Sequence, residues 1–285
     1  MKRRLPVMLL CLVFLGIAAF SGYKIITIMN EYKAGEEAYE QLQQFVNIPE
    51  PTQRQEETPD ETIRPESNQE PEKVESEDPE QTVPAATVVP VEKNTESAVD
   101  FDALHAINED VVGWIYQEGT AVNYPVAQGV DNQEYLYWLI NGDYNSAGTP
   151  FMDYRNEPDF SDRNTVIYGH NMNNGTMFAD FHKYIDQEYY DTYPTMMLMT
   201  PKGDYTVEFF SGYISTLDTN AWQMHFNSDE EYSAWLETAM ERSAFESDVV
   251  PTTEDRVITI STCSDSAAKT RFVLLGVLRQ EARPE

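Results

Sequence analysis

Two apolar runs joined by a short polar loop constrain this chain more than any other feature. Residues 258–263 (ITISTC) alternate β-branched and small side chains, and residues 271–278 (RFVLLGVL) are almost entirely apolar. Because β-branched and aromatic side chains favour extended backbone, we expect two strands around a loop. Cys263 ends the first strand and Arg271 opens the second. A thiol and a guanidinium therefore lie on facing strand ends.

Six shorter strand-like segments precede this pair, with Gly, Asn, Asp and Pro between them. They cover residues 111–116, 121–126, 148–153, 164–170, 196–199 and 204–213. Short strands separated by turn residues are typical of an all-β sandwich or barrel. The sequence therefore predicts a mainly β domain.

Three helices are predicted beside the strands. Asp100 is a suitable N-cap for residues 101–108, and residues 175–184 form a second helical segment. The third helix begins with a capping box, Ser228 to Glu231, before apolar residues at helical spacing. These apolar residues predict a stripe that packs in the core: Tyr232, Trp235, Leu236, Ala239 and Met240.

The N-terminal segment, residues 1–30, predicts membrane targeting. Lys2, Arg3 and Arg4 precede apolar residues 5–20, and residues 25–29 extend the apolar character. A signal peptide would be cleaved near residues 19–21, whereas a signal anchor would keep about 20 residues to span the bilayer. We favour the anchor, because apolar residues continue past the cleavage site. The positive cluster then predicts a single-pass protein with a cytoplasmic N-terminus and an extracytoplasmic domain.

Three regions are predicted after this anchor. Residues 31–47 form a juxtamembrane helix, and residues 48–99 form an acidic linker rich in Pro and Glu. The linker has too few large apolar residues to offset chain entropy, so we expect it to be disordered. The folded domain covers residues 100–281. A net charge of −30 argues against a nucleic-acid partner, which needs clustered Lys and Arg.

Cys263 needs a proton acceptor or a positive neighbour if it is a nucleophile, because a free thiol is mostly protonated near neutral pH. The second cysteine, Cys11, lies in the apolar N-terminal run, so a disulfide is not expected. Two Cys and four His also argue against a closed zinc site. Among the histidines, His170 differs from the rest, because it ends a predicted strand directly after Gly169. We expect this glycine to let the backbone turn there.

At these positions the chain resembles the sortases, the membrane-anchored transpeptidases of Gram-positive bacteria. Residues 168–172 (YGHNM), 261–263 (STC) and 271–273 (RFV) are similar to the family's His, Cys and Arg signatures. The likeness extends over residues 100–279 and includes VVGWI, YPV, YL and GTPFMD in the N-terminal half of the domain. The helix at residues 228–244 and Asp265, two residues after Cys263, resemble class B.

This resemblance implies a closed eight-stranded β-barrel with flanking helices, one of them inserted before the strand that carries Cys263. It implies that Cys263 is the nucleophile, that His170 is the general acid and base, and that Arg271 stabilises the oxyanion. No metal or organic cofactor is implied. The implied substrates are secreted proteins with a C-terminal sorting signal, and the implied acceptor is an amine of a peptidoglycan precursor or a pilin lysine.

Several alternatives remain open at this point. Asp265 could orient His170 or Arg271, or form an Asx turn in the loop. The hydroxyls of Ser261 and Thr262 could contact the substrate or hydrogen-bond to backbone groups. Asn171 could contact a residue of the site without contacting the substrate. At the level of function, the rivals are a pilin polymerase of the same class, a secreted cysteine protease, and a surface-displayed binding module with a degenerate fold.

Overall fold

The structure is a computed structural model that describes residues 4–47, 97–263 and 270–280. For residues 4–11 and for Cys263 it describes the backbone alone. Most of the predicted linker and Asp265 lie outside the described residues. Ser97 to Val99, which we assigned to the linker, are described, and buried Val99 pairs with Val46.

The N-terminal helix α1 is continuous from Arg4 to Leu42 and is followed by a 3-10 helix, Gln43–Phe45. We predicted an anchor and a separate juxtamembrane helix, and the two are one helix. By length and composition, the described part from Leu12 onward can cross a membrane. Large apolar side chains between Leu12 and Met29 are exposed, whereas Tyr39 and Leu42 are buried against the domain.

Eight strands follow, and they form a closed barrel. Their bounds are β1 Val111–Tyr116, β2 Asn123–Ala127, β3 Phe151–Met152, β4 Asn164–His170, β5 Thr195–Thr200, β6 Gly203–Thr216, β7 Val257–Cys263 and β8 Thr270–Gln280. The order around the barrel is β1-β2-β3-β4-β7-β8-β6-β5, and β5 closes it by pairing with β1. The predicted eight-stranded barrel is confirmed.

One parallel pair of strands determines which residues lie side by side at the end of the barrel. β4 and β7 run parallel over seven residue pairs, from Asn164 beside Val257 to His170 beside Cys263. β7 and β8 are antiparallel, and β8 also pairs with β6. The C-terminal ends of β4 and β7 and the N-terminal end of β8 therefore meet at one end of the barrel.

Two predicted helix caps are present. The Asp100 side chain accepts a hydrogen bond from the Ala103 N–H at 2.9 Å and caps α2, Phe101–Ile107. The Ser228 hydroxyl accepts from the Glu231 N–H and caps α4, Asp229–Arg242. The predicted stripe of α4 is buried at Tyr232, Trp235, Leu236 and Ala239, and it covers the outside of β6, β7 and β8.

The prediction of a helix over residues 175–184 is wrong in the type of helix and in the residue at which it begins. A 3-10 helix, Asp180–Ile185, starts five residues later, and a short α3, Gln187–Thr192, follows it. Met177 has a left-handed backbone (φ 59°), and its N–H donates to the Tyr124 hydroxyl at 3.0 Å. This contact with β2 holds the segment outside a helix.

Candidate active site

Three neighbouring strands bring the predicted functional residues into one row. His170 is the register partner of Cys263 across β4 and β7, and Cys263 is the partner of Arg271 across β7 and β8. Register partners on adjacent strands are the residues whose side chains can meet. Residues more than 90 positions apart in the sequence are thus brought together by the backbone alone.

His170 is half-buried, and its ring is held by a backbone carbonyl. The Nε2 atom lies 2.8 Å from the Leu136 oxygen. Because a carbonyl can only accept, Nε2 must carry the hydrogen in this contact, and the neutral ring then has its free lone pair on Nδ1. The ring also lies 5.8 Å from the Tyr137 ring, at a tilt of 35°. These two contacts define the orientation of the imidazole.

The glycine before His170 is needed for packing and not, as predicted, for a turn. Gly169 lies within β4, paired with Thr262. A Cβ atom at this position would lie 2.5 Å from the Phe178 ring. Phe178 is buried, and its N–H donates to the His170 carbonyl at 2.9 Å. The missing side chain therefore lets Phe178 pack directly behind His170.

Arg271 lies at the start of β8 between two partner strands. Its register partners are Cys263 on β7 and Ser215 on β6, and its Nη1 donates to the Thr270 carbonyl at 2.9 Å. The side chain is half-buried. A guanidinium in this position can present N–H donors to an oxygen beside the end of β7.

The auxiliary candidates separate into three groups. Ser261 and Thr262 are buried, and their hydroxyls have structural partners. The Trp222 indole donates to Ser261 Oγ at 3.0 Å, and the Thr262 hydroxyl contacts the Phe272 carbonyl at 3.4 Å. Asn171 is exposed, and its backbone pairs with Met177. Asp265 lies outside the described residues.

The remaining histidines have other surroundings. His105 on α2 contacts the Val111 carbonyl at 2.7 Å, and His225 is exposed. His182 packs 5.3 Å from the Phe272 ring, and burial lowers the pKa of its imidazole. Its Nε2 atom is buried without a hydrogen-bond partner. A neutral ring packed in this way suits a structural role.

Sequence reasoning missed the aromatic group beside His170. Tyr137, Trp138 and Tyr144 are 45%, 45% and 63% exposed, and Tyr144 contacts both of the other rings. The role of Leu136 was also missed, because it acts through its carbonyl and no side-chain pattern encodes that. Within the described ranges, no three His, Cys, Asp or Glu side chains come together as metal ligands.

Comparison with known proteins gives matches over this same domain. The model of the sortase domain family matches residues 115–279. Sortase B of Staphylococcus aureus (strain NCTC 8325 / PS 47) is 36% identical over 170 residues, which cover 60% of this chain and 70% of that protein.

Solved structures agree with the sequence match. The crystal structure of Staphylococcus aureus sortase B has a TM-score of 0.61 at 34% identity and covers 64% of this chain and 87% of that one. A crystal structure of sortase B complexed with triglycine has a TM-score of 0.61 at 34% identity, with 64% and 86% covered. The similarity therefore includes both the fold and the strands that carry His170, Cys263 and Arg271.

Proposed function

The chain belongs to the sortase family of cysteine transpeptidases, and from that premise we propose that it is a class B-like enzyme of the cell surface. It would cleave a C-terminal sorting signal of secreted proteins and transfer the acyl group, through a thioester on Cys263, to an amine of a cell-wall precursor. The observation that carries this proposal is the row of His170, Cys263 and Arg271 across β4, β7 and β8.

The first half-reaction forms the thioester. The Cys263 thiolate attacks the carbonyl carbon of the scissile peptide bond, and the carbonyl oxygen becomes an oxyanion. Arg271 donates N–H groups to that oxygen. The C–N bond then breaks as His170 gives a proton to the departing nitrogen, and the acyl group stays on sulfur.

The second half-reaction uses the same groups in reverse. The incoming amine attacks the thioester carbon, and His170 takes a proton from it. The C–S bond breaks and returns Cys263 as a thiolate, while the acyl group leaves on a new amide bond. A related sortase B is complexed with triglycine, so an oligoglycine amine is the acceptor that we propose to test first.

The long helix α1 supports a membrane location. We propose that its exposed apolar part is a single-pass anchor, with the cluster Lys2 to Arg4 on the cytoplasmic side and the barrel outside. Carbonate extraction of membranes should leave the full-length chain in the pellet, and protease added to protoplasts should digest the barrel. A mature chain that begins near residue 20 would instead show a cleaved signal peptide.

Mass spectrometry of the full-length chain in detergent micelles tests the chemistry. A panel of sorting-signal peptides should give a thioacyl adduct on Cys263, and triglycine should release it as a new amide. Cys263→Ala should give no adduct. His170→Ala and Arg271→Ala should each slow turnover about 100-fold or more, the typical cost of losing such a group. Wild-type turnover in Arg271→Ala would remove the guanidinium from the mechanism.

The same experiment separates the rival functions. Release by water alone, with no transfer to any amine, would indicate a protease. A pilin subunit that is acylated on lysine in place of triglycine would indicate a pilin polymerase. A Cys263 that forms no adduct with any peptide would favour a binding module.

Asp265 remains a candidate auxiliary residue. We propose that its carboxylate assists Arg271 or His170, and Asp265→Asn is the variant that tests this. Slower adduct formation at an unchanged melting temperature would support a role in the reaction. Unchanged turnover would leave Asp265 as a turn residue. Asn171→Ala can be compared in the same assay, since that side chain is exposed beside His170.

A further inference from the structure

The C-terminal part of α1, residues 31–42, lies against the barrel, and we call it the docked segment. Gly35, Tyr39 and Leu42 are buried there, at the spacing of one helix face. Tyr39 is 5% exposed, and its ring meets the Tyr124 ring edge-on at 5.0 Å. The helix that carries the proposed anchor is thus also part of the folded domain.

The docked segment is hydrogen-bonded to two chain segments, one that precedes His170 in the sequence and one that follows it. On one side, Asn145 donates its amide N–H to the Glu31 carbonyl and the Ser146 N–H donates to the Glu31 carboxylate, both at 2.9 Å. On the other side, Asn174, four residues after His170, donates to the Glu36 carboxylate at 3.0 Å.

Tyr39 is hydrogen-bonded to the loop that packs against the Leu136 peptide. Its hydroxyl donates to the Gly148 carbonyl and lies 3.4 Å from the Thr149 hydroxyl. Gly148 has a left-handed backbone (φ 56°), and a Cβ atom there would lie 2.4 Å from the carbonyl oxygens of Tyr135 and Leu136. Gly148 therefore packs directly against the peptide whose oxygen holds His170 Nε2.

We propose that Tyr39 is a positioning residue for His170, acting through Gly148 and the Leu136 carbonyl. The hydroxyl fixes Gly148, Gly148 fixes the Leu136 carbonyl, and the carbonyl fixes the rotation and the tautomer of the imidazole. A shift of about 1 Å in a catalytic group can cost about 100-fold in rate, so such support affects turnover. The helix of the proposed anchor then helps to hold His170 in position.

This inference rests on the proposed function, since it assigns His170 a proton-transfer role, and its test has a readout that does not need activity. The test uses the full-length chain in detergent micelles, with Tyr39→Phe as the main variant. This variant keeps the ring on Tyr124 and removes only the hydroxyl. Glu37→Gln is the matched control, because Glu37 lies on the solvent side of the same helix, paired with Lys33.

Two measurements decide the matter. With ¹⁵N-labelled histidine, the ring signals of His170, assigned with His170→Gln, should show one Nε2–H tautomer in the wild type and a mixture in Tyr39→Phe. In the peptide assay, kcat should fall about fivefold, the effect of one lost hydrogen bond, while KM stays within about twofold. Glu37→Gln should match the wild type in both.

Unchanged His170 signals in Tyr39→Phe would overturn the proposal, whatever happens to kcat. The proposal would also be overturned if Ser228→Ala, a destabilising change elsewhere, lowered both the melting temperature and kcat by as much as Tyr39→Phe does. If the wild-type chain forms no thioacyl adduct, the proposed function fails, and the ring signals alone still decide whether Tyr39 positions His170.

Discussion

Gly169 determines how closely Phe178 packs against the strand that carries His170. We expect Gly169→Ala to cost about 1–3 kcal/mol of stability, the usual range for overpacking, and to lower turnover by displacing the end of β4. Thermal unfolding and the peptide assay measure the two effects. The double variant Gly169→Ala/Phe178→Leu removes part of the ring and should recover some of both. Equal or lower activity in the double variant would contradict this explanation.

We expect Asp153 to couple the stability of the barrel to pH. Its carboxylate is 0% exposed and accepts hydrogen bonds from Arg155 Nε and Nη2, both at 2.8 Å, from Tyr168 at 3.0 Å and from Asn132 at 2.9 Å. Burial alone would raise the pKa of Asp153, but these donors outweigh it, and the pKa lies below its ordinary value.

A lowered folded-state pKa gives a stabilising contribution that is complete above the unfolded pKa of about 3.9 and is lost as pH falls through the folded value. We therefore expect Asp153→Asn to be less stable than the wild type near pH 7, and the difference to shrink as the pH falls below about 4. Urea unfolding across pH 2–7 measures it. Parallel stability curves for the two proteins would contradict the prediction.

At the scale of elements, the parts that the sequence predicted best are those whose signals are local. The Ser228 cap and the stripe of α4 depend on residues within one or two helical turns, and both are present. The helix expected at residues 175–184 failed because Met177 bonds to Tyr124, which is 53 positions away. A contact between such distant residues overrides local helix propensity, and the sequence of residues 175–184 alone does not reveal it.

The cap of α4 gives a test at this scale. Ser228→Ala should lower stability by about 1 kcal/mol, since it removes the acceptor for the Glu231 N–H. Ser233→Ala is the matched control, because Ser233 is inside the same helix with an exposed hydroxyl contact to Glu237. Alanine favours helix interiors, so the control should be neutral or slightly stabilising. Chemical denaturation compares the two variants.

At the scale of the whole molecule, the row of functional residues depends on strand order, which no single segment encodes. Sequence patterns located β4, β7 and β8 and placed His170, Cys263 and Arg271 at their ends. The parallel pairing of β4 with β7 was not predicted, because no local pattern encodes which distant strands pair or in which direction. The docking of residues 31–42 on the barrel was missed, although Tyr39 and Leu42 lie on one face of the predicted helix.

That docking predicts how the chain tolerates truncation. A chain beginning at Glu31 keeps the buried side chains of Tyr39 and Leu42, whereas one beginning at Ser97 loses them and exposes Tyr124. The two side chains together contribute about 3–6 kcal/mol, so the shorter chain should unfold roughly 6–24 °C lower. Calorimetry of both chains measures this. Equal melting temperatures would show that the docked segment adds no stability.

The pairing of strands that are distant in sequence also sets when the enzyme becomes active during its synthesis. Arg271 follows His170 by about 100 residues, which a ribosome adds in roughly 5–20 s. The row is complete only when β8 has inserted between β7 and β6. If the chain is exported as we propose, we expect it to be unable to cleave until β8 has inserted and the barrel has closed.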